Sequence, residues 1–325
     1  MTNKKYLISI IIGTRPEAIK FAPIINKLQL INELNVRVIL TGQHKEMVID
    51  VIDLFDIKYD LNIDLMHQKQ SLTHITCSSL KKLDEEYSKN KPDLVLVQGD
   101  TSSAFAGALA AFYKKIPVFH VEAGLRTDNL FSPYPEEANR RLISQIASIN
   151  FAPTIVAKEN LLKSNVSGHI YVTGNTVVDS LLYISKNKQA KLPYGPKWNS
   201  EKVIFVTVHR RENWGNNIKN ICSGLKKILL HNTNVSLIIP MHKNPKVRNE
   251  LKNLLENTPR AFLIEPLKYD QLISVLKNCY LILTDSGGLQ EEAPSLNIPV
   301  LVLRDTTERP EAIKNGSAKL IGTNS

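Results

Sequence analysis

Strand and helix signals alternate along this chain from one end to the other. Strand candidates fall at Tyr6–Ile12, Val36–Thr41, Asp93–Gln98, Pro117–Val121, Ile149–Ala152 and His169–Val172. A second series follows at Val203–Val208, Val235–Ile239, Ala261–Ile264, Leu281–Thr284, Pro299–Leu303 and Lys319–Ile321. Most are short, β-branched and apolar on both faces, which suits strands of a parallel sheet covered by helices. Segments of helical periodicity, such as Ser103–Lys114 and Ile218–Leu230, lie between most of them. This alternation predicts doubly wound parallel sheets. The strands are too many for one such sheet and divide into two sets of six. Ser185–Ser200 is polar, carries two prolines and a glycine, and reads as a linker. The expected fold is therefore α/β, with Rossmann-like domains at residues 1–184 and 201–325 and a linker at 185–200. A ligand cleft is expected between the domains. With 325 residues and 43% hydrophobic content, the chain can bury two cores.

Ligands of open α/β sheets bind beyond the carboxyl ends of the strands, so the residues just after each strand carry the functional argument. Asp93–Gln98 leads into Gly99-Asp100-Thr101, and Pro117–Val121 leads into Glu122-Ala123-Gly124. A third acid, Glu136, follows Pro135 at an expected helix start. Taken singly, Asp100 or Glu136 is as readily a helix cap. Three acids at one rim read as proton-transfer machinery.

The second half is rich in cations and phosphate-binding turns. Its first strand ends in His209-Arg210-Arg211, either a diphosphate clamp or a surface ion-pair cluster with Glu212. Pro240–Pro245 forms another basic rim. Thr284–Glu292 reads as strand, Gly-rich turn and helix. There Ser286, Gly287 and Gly288 can offer N–H groups and a hydroxyl to phosphate, and Glu292 can accept from a ribose diol. Arg304–Glu311 is expected to fold over that site. In the first half, the Gly13–Glu17 turn should present a helix N-terminus and Arg15 to an anion. The sum describes an enzyme acting on a nucleotide diphosphate sugar.

Other classes are excluded on stated grounds. Neither GxGxxG nor a Walker A motif occurs, so a bound nicotinamide, flavin or P-loop triphosphate is unsupported, and no cofactor is expected. Three scattered cysteines without a CxxC pair argue for a reducing compartment and against a zinc site or disulfide framework. Net charge is +10, but the lysines are dispersed, without a basic arm for nucleic acid. No apolar stretch is long enough to span a bilayer. The first apolar run stops at Gly13 without a signal-peptide cleavage site, so a cytoplasmic protein is expected.

Several longer motifs occur together: GTRPEAIK at 13–20, TGQH at 41–44, QGDT at 98–101, VEAGLRT at 121–127 and SPYPEEANR at 132–140. They continue with TGNTVVD at 173–179, HRREN at 209–213, TDSGGLQEEAPSL at 284–296 and RDTTERPEA at 304–312. The set resembles the non-hydrolysing UDP-N-acetylglucosamine 2-epimerases of bacterial type, from the first strand almost to the last residue. The resemblance implies a GT-B-like fold and reversible epimerisation at C2 of UDP-GlcNAc to UDP-ManNAc. It implies elimination of UDP to a 2-acetamidoglucal and re-addition, supplying ManNAc units for bacterial surface polysaccharide.

The same resemblance places Asp100, Glu122, Glu136 and His209 on catalytic positions. It places Arg15, Lys20, Leu272, Ser286, Gly287, Gly288, Glu292 and Arg309 on UDP-binding positions. It further implies a homodimer, and a second, activating UDP-GlcNAc site at Gln43, Met47, Gln70, Arg210 and His242. Two departures stand out. Leu272 occupies a position where some relatives set an aromatic against uracil. Family members continue through further helices beyond the position of Ser325, so this chain is expected to lack that C-terminal clasp and to close less firmly. Two alternatives stay open. One is a hydrolysing relative that releases ManNAc and UDP, in which arginine usually stands where this chain has Thr101. The other is a nucleotide-sugar-binding module without turnover.

Overall fold

The computed structural model of the chain describes residues 5–42, 45–64, 71–210, 213–307 and 310–324. The chain divides into two compact units, Met1–Ser180 and Leu181–Ser325.

The first unit opens with β1 (Tyr6–Ile12), α1 (Arg15–Leu28), β2 (Leu34–Leu40), α2 (Lys45–Leu54) and β3 (Leu61–Asn62). It continues with α3 (Leu72–Lys89), β4 (Leu94–Gln98), α4 (Ser102–Tyr113), β5 (Val118–Val121) and α5 (Glu136–Ile146). Then come β6 (Ile149–Ala152), α6 (Ile155–Lys163) and β7 (His169–Val172), and α7 (Val177–Asn187) runs across the division. The strands form one parallel sheet in the order β3-β2-β1-β4-β5-β6-β7. The expected six strands are present to within a residue or two. The seventh, β3, is two residues long, too short for any periodicity to reveal.

The centre of this sheet is dry because its sequence is apolar on both faces. Ile10, Ile11 and Ile12 are fully buried, and each contributes roughly 2 kcal/mol of burial free energy. Helix α4 covers β1 and β4 with a small-residue face, in which Ala104, Ala108 and Ala111 belong to the core. A Cβ on Gly107 would lie 3.1 Å from the Ile11 side chain, so the glycine lets α4 settle onto the sheet.

The second unit contains β8 (Lys202–Thr207), α8 (Asn216–His231), β9 (Val235–Pro240), α9 (Pro245–Leu255), β10 (Ala261–Ile264) and α10 (Tyr269–Asn278). It ends with β11 (Leu281–Thr284), α11 (Leu289–Glu292), β12 (Val300–Val302), α12 (Pro310–Lys314) and β13 (Ala318–Leu320). Its parallel sheet has the order β10-β9-β8-β11-β12-β13. Residues 188–201, between α7 and β8, form neither helix nor strand. They pack on the second unit: Leu192 and Trp198 lie against its core, and Trp198 Nε1 donates to Pro193 O at 3.1 Å.

Both sheets are of the Rossmann-like kind expected. Strand order reverses direction between β1 and β4 in one sheet and between β8 and β11 in the other. Those reversals leave a crevice at the carboxyl ends of the strands, where ligands of such folds bind. Among the described residues, no helix is long and apolar enough to cross a membrane.

Candidate active site

The three acids singled out in the first half come together. Gln98 is paired with Val121 in the β4–β5 register, so the residues after the two strands emerge side by side. Glu122 adopts φ +60°, in the left-handed region, which costs a non-glycine residue on the order of 1 kcal/mol. Its carboxylate is nevertheless held on three sides. Lys20 Nζ lies 2.6 Å from Oε2, Gln98 Nε2 donates to the same oxygen, and Asn175 Nδ2 donates to Oε1 at 2.8 Å. Glu136 is the first residue of α5, half-buried.

Asp100 sits between these groups with its side chain a quarter exposed, and Arg140 Nη2 lies 2.7 Å from its Oδ2. Burial pushes the Asp100 carboxyl above its usual range, against the pull of Arg140. The Glu122 and Glu136 carboxylates push it further up, and Lys20 draws it back down. A carboxyl raised in this way can hold or accept a proton closer to neutral pH.

Two further groups pin this turn and were not singled out in the sequence. His120, fully buried on β5, has Nε2 2.7 Å from the Gly99 carbonyl oxygen. Burial depresses its imidazole to about 4, so the ring is neutral and donates to that carbonyl. Asn139 Nδ2 donates to the Asp100 carbonyl at 2.9 Å.

The first βα turn departs from expectation. Gly13 N–H and Thr14 N–H do not face an open anion site; both donate to the Glu17 carboxylate, at 2.9 and 2.6 Å. Thr14 Oγ1 donates to the same Oε2 at 2.9 Å, and Thr101 Oγ1 donates to Oε1 at 2.7 Å. Glu17 is 1% exposed, and burial raises its carboxyl to about 7 despite these donors. Glu17 thus closes the turn before α1 as the acid of a capping box and takes up the Gly13 and Thr14 N–H groups. The only sequence signal is Thr14 followed three residues later by glutamate, the capping-box spacing. Arg15 begins α1 and is half-buried.

In the second unit the organising group is Asp285, just after β11 and fully buried. Its Oδ2 accepts His209 N–H and Arg210 N–H, both at 2.8 Å, and Asn213 Nδ2 at 3.0 Å. His209 Nδ1 stands 3.0 Å from its Oδ1. The bonds from His209 and Arg210 outweigh desolvation and hold the Asp285 carboxyl below its usual range. Asp285 was read only as part of a Gly-rich turn. It in fact anchors His209, Arg210 and Asn213 and lies against the histidine ring. The His242 ring stacks on His209, centroids 5.8 Å apart and planes 17° apart. Burial and the neighbouring His209 both lower the His242 imidazole.

The Gly-rich turn follows directly. Ser286 N–H donates to Thr284 Oγ1 at 2.9 Å, and Ser286, Gly287 and Gly288 lead into α11. That helix is four residues long, with Glu292 at its end and only 7% exposed. Thr307 Oγ1 donates to Gln290 Oε1 at 2.6 Å and docks the segment after β12 on this helix. Leu272 lies on α10, half-buried against the core.

Lys20, placed by resemblance on the nucleotide site, is here the ion-pair partner of Glu122. Met47 lies on α2 in the first unit; Arg210 and His242 lie in the second. Gln43, Gln70 and Arg309 fall outside the described residues. Among the described residues, no group of three or more His, Cys, Asp or Glu is placed to hold a metal ion.

A family model described as UDP-N-acetylglucosamine 2-epimerase matches residues 26–325. The chain belongs to the UDP-N-acetylglucosamine 2-epimerase family. The Campylobacter jejuni UDP-N-acetylglucosamine 2-epimerase is 46% identical over 97% of this chain and 85% of its own length. The crystal structure of the Neisseria meningitidis UDP-GlcNAc 2-epimerase, bound to UDP-GlcNAc, superposes with a TM-score of 0.88. It is 45% identical and covers 98% of this chain and 88% of that one. The Methanocaldococcus jannaschii enzyme, in complex with UDP-GlcNAc and UDP, gives a TM-score of 0.83 at 36% identity, over 98% and 89% of the two chains. These epimerase structures share the GT-B-like pair of parallel-sheet α/β domains.

Proposed function

We propose that this UDP-GlcNAc 2-epimerase is of the non-hydrolysing kind and interconverts UDP-GlcNAc and UDP-ManNAc through a 2-acetamidoglucal. The observation that carries this reading is the cluster of Asp100, Glu122, Glu136 and Lys20 at the ends of β4 and β5, with Asp100 raised. Inverting C2 requires a base on one face of the sugar and an acid on the other. Carboxyl groups with different surroundings can divide those roles. One carboxylate takes the C2 proton, the C1–C2 double bond forms, and the C1–O bond breaks with its electron pair leaving on UDP. A carboxylic acid then protonates C2 from the opposite face while a UDP oxygen re-bonds to C1. His209, fixed by Asp285, is suited to the charge on the departing diphosphate.

Thr101 favours this chemistry over hydrolysis. Its hydroxyl bonds Glu17 and caps α4 through Ala104 N–H, and the arginine usual in hydrolysing relatives would lose both bonds. The Neisseria meningitidis enzyme, crystallised with UDP-GlcNAc, supports the substrate. On the same reading, Arg15, Lys20, Leu272, Ser286, Gly287, Gly288, Glu292 and Arg309 bind UDP. Gln43, Met47, Gln70, Arg210 and His242 form a second, activating site. The chain acts as a cytoplasmic homodimer supplying ManNAc units for surface polysaccharide, with domains at 1–184 and 201–325 joined by 185–200.

Proton NMR with UDP-GlcNAc in D2O tests the reading. UDP-ManNAc carrying deuterium at C2 is the expected product. Accumulation of free ManNAc and UDP would instead assign the hydrolysing reaction, and binding of UDP-GlcNAc with unchanged sugar signals would assign a module without turnover.

A further inference from the structure

Helix α5 carries two side chains besides Glu136 that converge on Asp100. Asn139 holds the Asp100 carbonyl, and Arg140 Nη2 holds its carboxylate at 2.7 Å. Behind Arg140 stands Glu137, 0% exposed, with Oε2 3.4 Å from Arg140 Nη1. Glu137 is itself held by Thr127 N–H at 3.1 Å and by Arg141 Nε at 2.7 Å.

The arrangement is a poor choice for stability alone. The Arg140 side chain is only 6% exposed, and its Nε and Nη1 have no hydrogen-bond acceptor among the described residues. Buried ion pairs seldom repay their desolvation better than an apolar residue of the same volume. What Arg140 does supply is a rigid planar fork that fixes one oxygen of a carboxylate in direction as well as charge.

We infer that Arg140, braced by Glu137, is a positioning residue for this reaction: it aims the Asp100 carboxylate. The inference rests on the proposed role of Asp100. The charged groups that face Asp100 are Glu122 from the end of β5, Glu136 and Arg140 from α5, and Lys20 from α1. Arg140 exerts the strongest pull of these four, so its removal releases Asp100 upward.

The test compares Arg140→Met, Arg140→Lys and Asp100→Asn in the full chain. Turnover is followed in both directions as a function of pH, and the Asp100 carboxyl is titrated by carbon NMR. In Arg140→Met, kcat at neutral pH should fall roughly 10- to 100-fold while KM stays within about threefold, because the lost element is orientation. The limb of the pH profile set by Asp100, and its NMR titration, should both move up by about one pH unit or more. Arg140→Lys should restore the titration but only part of kcat, since an ammonium supplies charge without the fork. It also carries the test if the methionine variant fails to fold. Guanidinium ion added to Arg140→Ala should recover turnover.

An unmoved titration with kcat within threefold of wild type, while Asp100→Asn is inactive, overturns the role of Arg140. Wild-type turnover in Asp100→Asn instead sinks the underlying role of Asp100, whatever Arg140 does.

Discussion

Thr101 Oγ1 donates a 2.7 Å hydrogen bond to Glu17 Oε1 across 84 residues of sequence. That bond ties the first βα turn, which carries Arg15, to the turn that carries Asp100. It joins the two loops flanking the strand-order reversal between β1 and β4. In this sheet the switch point is thus closed by a buried carboxylate.

Glu17 gives stability a pH dependence of unusual sign. Its carboxyl is raised from 4.5 to about 7 in the fold, so the folded chain binds the extra proton within that window. Stability from this group is therefore full below pH 4.5 and declines as pH rises to about 7, by on the order of 3 kcal/mol. Glu17→Gln should abolish that slope. Urea unfolding at pH 5, 6, 7 and 8 checks it: wild-type stability relative to the variant must fall with pH, and a constant difference would refute the assignment.

Asp285 should behave in the opposite sense. Its depressed carboxyl stabilises the second unit fully above the unfolded value near 3.8, and that stability drains away as pH falls below it through the lower folded value. Asp285→Asn keeps the shape, and its amide oxygen can stay at the Oδ2 position, but the three donors there lose the charge that strengthens their bonds. A loss of about 2 kcal/mol in thermal unfolding is expected. The amide nitrogen would also meet His209 Nδ1 and favour the wrong tautomer, so turnover should drop roughly 100-fold or more.

Gly13 is required by space. A Cβ there would lie 2.8 Å from Thr41 Oγ1 and closer still to Ser103 Oγ, which are themselves hydrogen-bonded at 2.9 Å. Gly13→Ala should cost about 1–3 kcal/mol in thermal unfolding. In a Ser103→Gly background, which removes both the Oγ and the Cβ that a Gly13 side chain would meet, Gly13→Ala should cost less, and an unchanged cost would place the strain elsewhere.

Glu122→Gln retains the size of the side chain but leaves Lys20 without its anion. Turnover should fall roughly 100-fold or more, with UDP-GlcNAc binding less affected. Deuterium incorporation at C2 and isothermal titration separate the two. Undiminished C2 exchange would remove Glu122 from the proton-transfer set.

Much of this architecture was legible in advance, for a local reason. Strands β4, β5, β8 and β11 are largely buried and mostly apolar, and Asp100, Glu122 and His209 stand out as polar residues just after β4, β5 and β8. The groups that escaped notice are those whose local pattern has an ordinary meaning. Glu17 reads as one half of a capping box, Glu137 and Arg140 as a charge pair on a helix surface, and His120 as a polar residue within a strand. Asp285 reads as the start of a glycine turn. Strand β3 was missed because two residues have no periodicity.

By itself, then, the sequence determined the alternation of strands and helices, the Rossmann-like sheets, the carboxylates at strand ends and the family. These follow from spacing along the chain and from which residues can be buried. Only the tertiary structure decided that Thr101 bonds Glu17, that Arg140 holds Asp100, and that Asp285 anchors His209. Each of these is a contact between distant segments, and its strength depends on how far burial strips water from a charge, a quantity that neighbours in space set and neighbours in sequence do not.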